Sequence, residues 1–191
     1  MKNSLPLILR APRFGDARGW FMETYSEARA AAAGIDVRFV QDNRSFSASE
    51  GTLRGLHFQR PPHAQAKLVQ CVRGSIMDYA VDIRRGSPTY GKWVSAHLTA
   101  KAGQQLFVPV GFAHGFVTLE PNVEVAYKVS DVYAPDCEGG VIWNDIDIGI
   151  DWPLPASGAV ISARDETLPT LADLNSPFIY DGSPLEPLTA F

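Results

Sequence analysis

Cysteine is scarce in this chain of 191 residues, and its two cysteines, Cys71 and Cys137, are too few for a disulfide framework. Cys71 lies in the apolar run LVQCV and is expected to be a small buried hydrophobe. No apolar stretch reaches the roughly 18 residues that span a membrane. The apolar N-terminal run breaks at Arg10 without a cleavage-like segment, which argues against a signal peptide. We therefore expect a protein of the reducing cytoplasm that does not bind a membrane.

A surplus of positive charge is missing as well. The net charge is −4, whereas general binding of nucleic acids requires a basic surface. An anionic ligand remains compatible, because an acidic protein can hold a local arginine pocket. The chain has no G-x-S-x-G, Walker A or G-x-G-x-x-G motif, which excludes the hydrolase and nucleotide-binding folds that those motifs define. Its composition, 46% hydrophobic and 20% charged, predicts one folded domain over residues 1–191.

The residue pattern predicts one helix followed by short strands. Ser26 is placed to cap the alanine-rich run EARAAAA, which Gly34 would end. Beyond this helix the period becomes two: in SIMDYAVDI, residues 75–83, apolar side chains fall on one face and Asp78 and Asp82 on the other. Such strands recur about every ten residues between turn segments, which is typical of a β-sandwich or barrel.

The segment VPVGFAHGF narrows the architecture further. Its P-x-G-x-x-H pattern resembles the second motif of cupin barrels, in which a turn at Pro109 and Gly111 would direct His114 into the barrel. We predict a mainly β fold, a cupin-type double-stranded β-helix (jelly-roll barrel) with a short N-terminal helix and short C-terminal helical pieces. The expected parts are an N-terminal arm, a β-barrel and a C-terminal helical or turn segment, covering about residues 1–25, 36–153 and 154–191.

The most informative block is LRGLHFQRPPHAQAK, residues 53–67. It sets Arg54, His57, His63 and Lys67 on a frame that otherwise predicts β-strand. Burying that many cationic and titratable groups is costly unless something pairs with them. The block therefore predicts a pocket for an anionic substrate, with a histidine suited to carry a proton near neutral pH.

A metal site is one interpretation of these histidines, since His57, His63 and His114 could supply imidazole ligands at the barrel centre. Metal-dependent cupins usually continue their first histidine motif with a glutamate, and here the corresponding stretch is the basic QAK. Lys67 would also repel a divalent cation. We therefore expect no metal in the site.

Acid–base chemistry fits the remaining residues. Tyr127 lies in the middle of the strand VEVAYKV, where a buried hydroxyl needs a polar partner. A histidine, a lysine and a tyrosine that converge in a barrel mouth suit proton abstraction next to a carbonyl group. His57 would take the proton, Lys67 would stabilise the enolate oxygen, and Tyr127 would return a proton.

Eight sequence blocks are spread from about residue 14 to residue 165: FGDARGWFMETY, FVQDNRSFS, LRGLHFQ, PHAQAKLVQCVRG, VDIRRGSPTYGKW, FVPVGFAHGF, AYKVSDVYAP and GGVIWNDIDIGIDWP. So many blocks in one order are highly specific. With them the chain closely resembles the dTDP-4-dehydrorhamnose 3,5-epimerases, cupin-fold enzymes of nucleotide-sugar biosynthesis.

The resemblance implies a role for each matching residue. His57 would be the general base, Asp165 the carboxylate that orients it, Tyr127 the acid, and Lys67 the cation near the 4-oxygen of the sugar. The resemblance also implies that Arg18 and Arg54 hold the diphosphate and that His114 contacts the sugar. Gln41 and Asn43 would line the site. Phe14, Glu23 and Tyr133 would lie around the nucleotide, partly contributed by a neighbouring subunit. One departure is Arg164, because the family commonly has lysine just before the aspartate matched to Asp165.

The activity that the resemblance implies is cofactor-independent inversion at C3 and C5 of a dTDP-linked 4-keto-6-deoxyhexose by a cytoplasmic homodimer. Three alternatives remain open at this point. The first is an enzyme that inverts one carbon or moves the carbonyl group. The second is a non-catalytic cupin that binds nucleotide sugars, which would not need His57, Lys67 and Tyr127 together. The third is a metal-dependent cupin oxygenase.

Overall fold

A computed structural model describes residues 4–191, which form two five-stranded antiparallel sheets and a separate two-stranded hairpin. One α-helix, α1, covers Glu27–Ala32, and single 3₁₀ turns cover Pro135–Cys137 and Asp165–Thr167. The strands are β1 (Leu7–Arg10), β2 (Arg13–Asp16), β3 (Gly19–Met22), β4 (Gln41–Ser47), β5 (Leu53–Gln59), β6 (Lys67–Arg73), β7 (Ser75–Asp82), β8 (Trp93–Thr99), β9 (Gln104–Val108), β10 (Phe112–Thr118), β11 (Val123–Val129) and β12 (Glu138–Gly140).

The two sheets face each other and enclose the main core. The first sheet has the strand order β1-β9-β6-β11-β4, and the second has β12-β5-β10-β7-β8. The interior is filled by apolar side chains from both sheets, such as Val69 and Val125 from the first and Ile76 and Leu98 from the second. This arrangement confirms the predicted mainly β, jelly-roll fold. Among residues 4–191, no helix is long and apolar enough to cross a lipid bilayer.

The remaining parts of the chain pack on the outer faces of both sheets and cover part of each. Ser26 caps α1 by accepting a hydrogen bond from the backbone N–H of Arg29, and the helix packs on the outside of the first sheet. The chain that follows the last strand covers the second sheet, with Trp152 before the C-terminal segment and Leu171 and Phe178 within it. The predicted helical pieces of this segment amount to the single 3₁₀ turn at Asp165, because its many prolines each remove a helix-forming N–H.

A buried ion pair fastens the C-terminal segment to the barrel. The Nε and Nη2 groups of Arg84 donate to the two carboxylate oxygens of Asp82 at 2.9 Å each, and Nη1 donates to Asp181 at 3.0 Å. Burial alone would raise the pKa of the Asp82 carboxyl, but hydrogen bonds from Arg84, Ser87 and Thr89 outweigh it and hold that pKa below its ordinary value. The carboxylate therefore stays charged in the core.

We expect Arg84→Ala to lower the free energy of unfolding by about 3–5 kcal/mol, since it leaves the charge of Asp82 buried without its cation. Urea unfolding followed by circular dichroism, at one protein concentration, measures this change. The neighbouring Arg85 is exposed and provides a matched control: Arg85→Ala should change stability by less than about 0.5 kcal/mol. Equal losses in the two variants would contradict the role of the buried pair.

Candidate active site

A cleft between the two sheets collects most of the predicted catalytic residues. Its main lobe has a volume of about 480 Å³ and is lined by Arg54, His57, Lys67, His114, Tyr127 and Asp165, among others. A smaller second lobe of about 140 Å³ shares His57, Lys67 and Tyr127 and adds Gln41, Asn43 and Tyr133. The three shared side chains therefore lie where the two lobes meet, and the main lobe falls in the size range of small-molecule sites.

Two glycines let strands β5 and β10 approach closely beside this cleft. A side chain on Gly55 would place its Cβ 2.5 Å from the Cα of Gly115, and φ is +135° at Gly55, a value that favours glycine. The register between the strands shifts next to this contact. His57 and His114 are paired across the two strands at the same place, so both imidazoles belong to one wall of the cleft.

Asp165 holds His57 through a direct hydrogen bond. The Nε2 atom of His57 lies 2.7 Å from Oδ1 of Asp165, while Oδ2 accepts from the backbone N–H of Gly55 at 3.3 Å. Burial alone would raise the pKa of the Asp165 carboxyl. The hydrogen bonds from His57, Gly55 and Ser162 and the charge of His57 together outweigh this effect and hold the pKa below its usual value. An ionised carboxylate only accepts, so Nε2 of His57 donates in this bond, and Nδ1 is the ring nitrogen that remains to take up a proton from a substrate.

His114 forms a second histidine–carboxylate pair in the same wall. Its Nε2 atom lies 2.6 Å from Oδ1 of Asp78, and Asp78 is fully buried. Burial lowers the pKa of His114, the charges of Lys67 and His57 lower it further, and Asp78 only partly opposes this change. His114 is therefore neutral at neutral pH and suits hydrogen bonding better than charge pairing.

Lys67 and Tyr127 enter the cleft from the first sheet, opposite the two histidines of the second. Burial lowers the pKa of Lys67 to about 8, although the negative charges of Asp78 and Glu138 act to raise it. Burial also raises the pKa of Tyr127, opposed by the charge of Arg54, so the phenol keeps its proton near neutral pH. The neutral phenol of Tyr127 and Lys67, whose pKa is lowered, thus face the imidazole of His57, which is hydrogen-bonded to Asp165.

The remaining predicted residues divide between the cleft and the hairpin. Arg54 is exposed at the main lobe and donates to the backbone oxygen of Phe46 at 3.1 Å. Arg18 and Phe14 lie on the β2–β3 hairpin, beside a separate surface pocket. Glu23 follows the hairpin and pairs with Arg29 at 3.5 Å. Within one chain, these last three predicted contacts are not brought to the cleft.

Two features of the site were not predicted from the sequence. Asp78 was recognised only as one position of an alternating strand, although a carboxylate on an interior-facing position is itself a sign of a buried partner. The other feature is an ion pair between Arg164 and Glu138, with Nη2 and Oε2 2.5 Å apart. It joins the segment carrying Asp165 to strand β12, beside His57. Over residues 4–191, no group of three or more His, Cys, Asp or Glu side chains is arranged to hold a metal ion.

The barrel is of the cupin type, and comparison with known proteins shows that the chain belongs to a class of isomerases. Residues 5–173 match the family model of dTDP-4-dehydrorhamnose 3,5-epimerase, and the chain belongs to this family. It is 49% identical over 173 residues to dTDP-4-dehydrorhamnose 3,5-epimerase from Sinorhizobium fredii, covering 91% of this chain and 88% of the relative.

Two solved structures bear on the ligand. The Legionella pneumophila dTDP-6-deoxy-D-glucose-3,5-epimerase in complex with dTDP-4-keto-L-rhamnose is similar with a TM-score of 0.87 and 39% identity, covering 92% of this chain and 93% of that one. A 3′-monoepimerase from Streptomyces bikiniensis in complex with dTDP-quinovose is similar with a TM-score of 0.80 and 36% identity, covering 87% and 84%. The chain is thus similar both to double and to single epimerases.

Proposed function

We propose that the protein inverts C3 and C5 of dTDP-4-dehydro-6-deoxy-D-glucose to give dTDP-4-dehydro-L-rhamnose. The observation that carries this proposal is the placement of His57 and Tyr127 on opposite sheets of one cleft, with Lys67 lining the same lobes. Inversion requires a base on one side of the sugar ring and an acid on the other. The names and bound ligands of the similar proteins support the choice of a dTDP-linked 4-keto sugar.

The chemistry follows from the protonation states of these side chains. The 4-keto group makes the hydrogens at C3 and C5 acidic, so Nδ1 of His57 can remove one of them while the electron pair moves to the keto oxygen. Lys67 stabilises the resulting enolate oxygen. Tyr127 then gives its proton to the opposite face of the carbon. The two steps balance without any cofactor, and solvent returns the base and the acid to their starting states.

Incubation of the protein with dTDP-4-keto-6-deoxyglucose in D₂O, followed by NMR, tests this proposal. Deuterium at both C3 and C5 together with inverted product is the expected result. If no deuterium enters at C3 or at C5, the epimerase proposal is disproved.

Inversion of one carbon is the second candidate, and the similarity to the Streptomyces bikiniensis 3′-monoepimerase favours it. Both candidates use the same base and the same acid, so the side chains named above do not separate them. The D₂O experiment does, because deuterium would then enter at C3 and not at C5.

The lowered pKa of Lys67 predicts a pH dependence of the reaction. Because its pKa is about 8, Lys67 loses its charge as the pH rises above that value, and kcat/KM should fall about tenfold per pH unit there. Steady-state rates measured between about pH 6 and 10 give the alkaline side of the pH profile, where this fall in kcat/KM occurs. Lys67→Arg is the informative control: a guanidinium stays protonated, so kcat/KM should begin to fall only at a higher pH. If kcat/KM of this variant still falls from about pH 8, another group causes the fall.

We further propose that the enzyme works as a cytoplasmic homodimer in which each hairpin completes the partner's site. Phe14, Trp20 and Phe21 on the hairpin are each at least 60% exposed, an unusual apolar surface for an isolated chain. Arg18 lies between them in sequence and forms an ion pair with the exposed Asp16. Docking on a second copy would bury the aromatic rings and carry Arg18 to a substrate diphosphate.

Mixed dimers test this arrangement. Arg18→Ala should lose about 10–100-fold in kcat/KM, because a hydrogen bond to a charged group is removed, and His57→Ala should be almost inactive. When the two variants are mixed and allowed to exchange subunits, half of the dimers carry one intact site, and about a quarter of wild-type activity should return. If Arg18 served the site of its own chain, mixing would restore nothing.

A further inference from the structure

Three glutamine side chains hold the loop between β11 and β12 in place of ordinary backbone pairing. The loop covers residues 131–134, between the end of β11 and the 3₁₀ turn at residue 135. Gln65 Nε2 donates to the carbonyl of Asp131 at 2.8 Å, and Gln41 Oε1 accepts from the N–H of Tyr133 at 3.1 Å. We call Gln41, Gln59 and Gln65 the glutamine cradle.

Gln59 makes the most contacts in this cradle. Its Nε2 donates to the carbonyls of His63 at 2.7 Å and Val132 at 3.1 Å, and its Oε1 accepts from the N–H of Ala134 at 2.9 Å. The residue is only 4% exposed. It lies on β5 two positions after His57, so the strand that carries the proposed base also holds the loop.

The cradle matters because of what the loop presents. Tyr133 lines the second lobe, and the residue is 54% exposed. Within residues 4–191, the ring makes no aromatic or cation–π contact that could hold it, so its position depends on the backbone beneath it. Glutamine amides satisfy four of the polar groups of that backbone: the carbonyls of Asp131 and Val132 and the N–H groups of Tyr133 and Ala134.

We propose that Gln59 is a positioning residue for nucleotide binding, which it serves by fixing the loop that places Tyr133 against the nucleotide in the second lobe. The inference rests on the proposed function for the identity of the ligand, a nucleoside diphosphate joined to a sugar. Gln59 and Gln65 also line the second lobe, but both polar atoms of the Gln59 amide are taken up by the backbone of His63, Val132 and Ala134. Its amide acts through the loop, so its loss affects binding and spares the proton transfers at His57 and Tyr127.

Gln59→Leu removes the three hydrogen bonds at similar side-chain volume. If the freed loop holds Tyr133 in the binding position about a tenth of the time, the apparent Kd for dTDP rises about tenfold. KM for the nucleotide sugar should rise in parallel, while kcat stays within about twofold. Isothermal titration calorimetry with dTDP and steady-state kinetics measure the two quantities. Gln104→Leu, a glutamine replaced on β9 outside the cleft, should bind dTDP like the wild type.

A double-mutant cycle with Tyr133→Ala separates positioning from a general structural effect. Without the ring, the loop position no longer matters for this contact, so adding Gln59→Leu should weaken dTDP binding by less than about twofold further. An equal penalty in both backgrounds, or wild-type affinity in Gln59→Leu, would overturn the proposal. If Gln59→Leu does not fold, Gln65→Leu removes one bond to the same loop and should show the same dependence on Tyr133. A wild-type protein that does not bind dTDP would instead overturn the proposed function.

Discussion

Replacement of His57 by alanine should reduce both deuterium exchange and inversion of the sugar by about 10²–10⁴-fold. The imidazole is the proposed base, and its bond to Asp165 leaves Nδ1 as the nitrogen that can accept a proton. Alanine offers no acceptor, so the carbon–hydrogen bond is not broken and no enolate forms. The rate of loss of the C3 and C5 proton signals in D₂O measures this effect directly.

The same variant should keep its affinity for dTDP, because the groups proposed to hold the nucleotide lie on other residues. Calorimetry with dTDP provides this comparison. His97→Ala is a suitable control: this histidine is exposed on β8 and does not line the cleft, and its loss should leave the rate unchanged. Near-wild-type exchange in His57→Ala would assign the base to another residue, with His114 the nearest imidazole in the same wall.

Replacement of Tyr127 by phenylalanine should separate exchange from inversion. The ring is retained and only the hydroxyl is lost, so His57 can still form the enolate. The enolate is then reprotonated from the side of the base, which returns the starting configuration with deuterium in it. We expect inversion to fall by about 10²–10⁴-fold while deuterium still enters the unreacted substrate.

NMR of the recovered substrate distinguishes this outcome from a simple loss of activity. A Tyr127→Phe protein that neither exchanges nor inverts would indicate that the phenol takes part in forming the enolate. One that inverts at the wild-type rate would show that the acid is another group. Together with His57→Ala, the variant assigns each proton transfer to one side of the cleft.

Much of the barrel could be predicted because strand alternation is a local property. In β7, the sequence places Met77, Tyr79 and Val81 on one face, and the structure packs them outside the barrel while Ile76 and Ala80 fill its interior. The cap and the end of α1 were equally local. The main residues of the cleft followed from strand positions together with the resemblance to known epimerases, which supplied the pairing of His57 with a residue far along the chain.

The features that escaped prediction depend on contacts between distant parts of the chain. Asp78 meets His114 only because β7 and β10 are neighbours, 36 positions apart in sequence. The glutamine cradle joins Gln41 and Gln65 to a loop 92 and 66 positions away. No periodicity encodes such pairs. The C-terminal segment has no helix beyond the 3₁₀ turn at Asp165, because its prolines interrupt helical hydrogen bonding and the side-chain contacts that hold it follow no repeating pattern.

The position of Asp165 has a consequence for how the enzyme fails under stress. This carboxylate belongs to a short stretch, residues 160–167, that lies against the barrel through an isolated bridge between Thr52 and Val160, the bond from Gly55 to Asp165 and the ion pair of Arg164 with Glu138. All of this stretch except Asp165 is exposed or half-buried, so detaching it alone, with the rest of the C-terminal segment still packed, costs less free energy than breaking the ten-strand framework. Turnover would then vanish at a lower urea concentration than the β-sheet signal, through sub-global opening of an otherwise intact barrel.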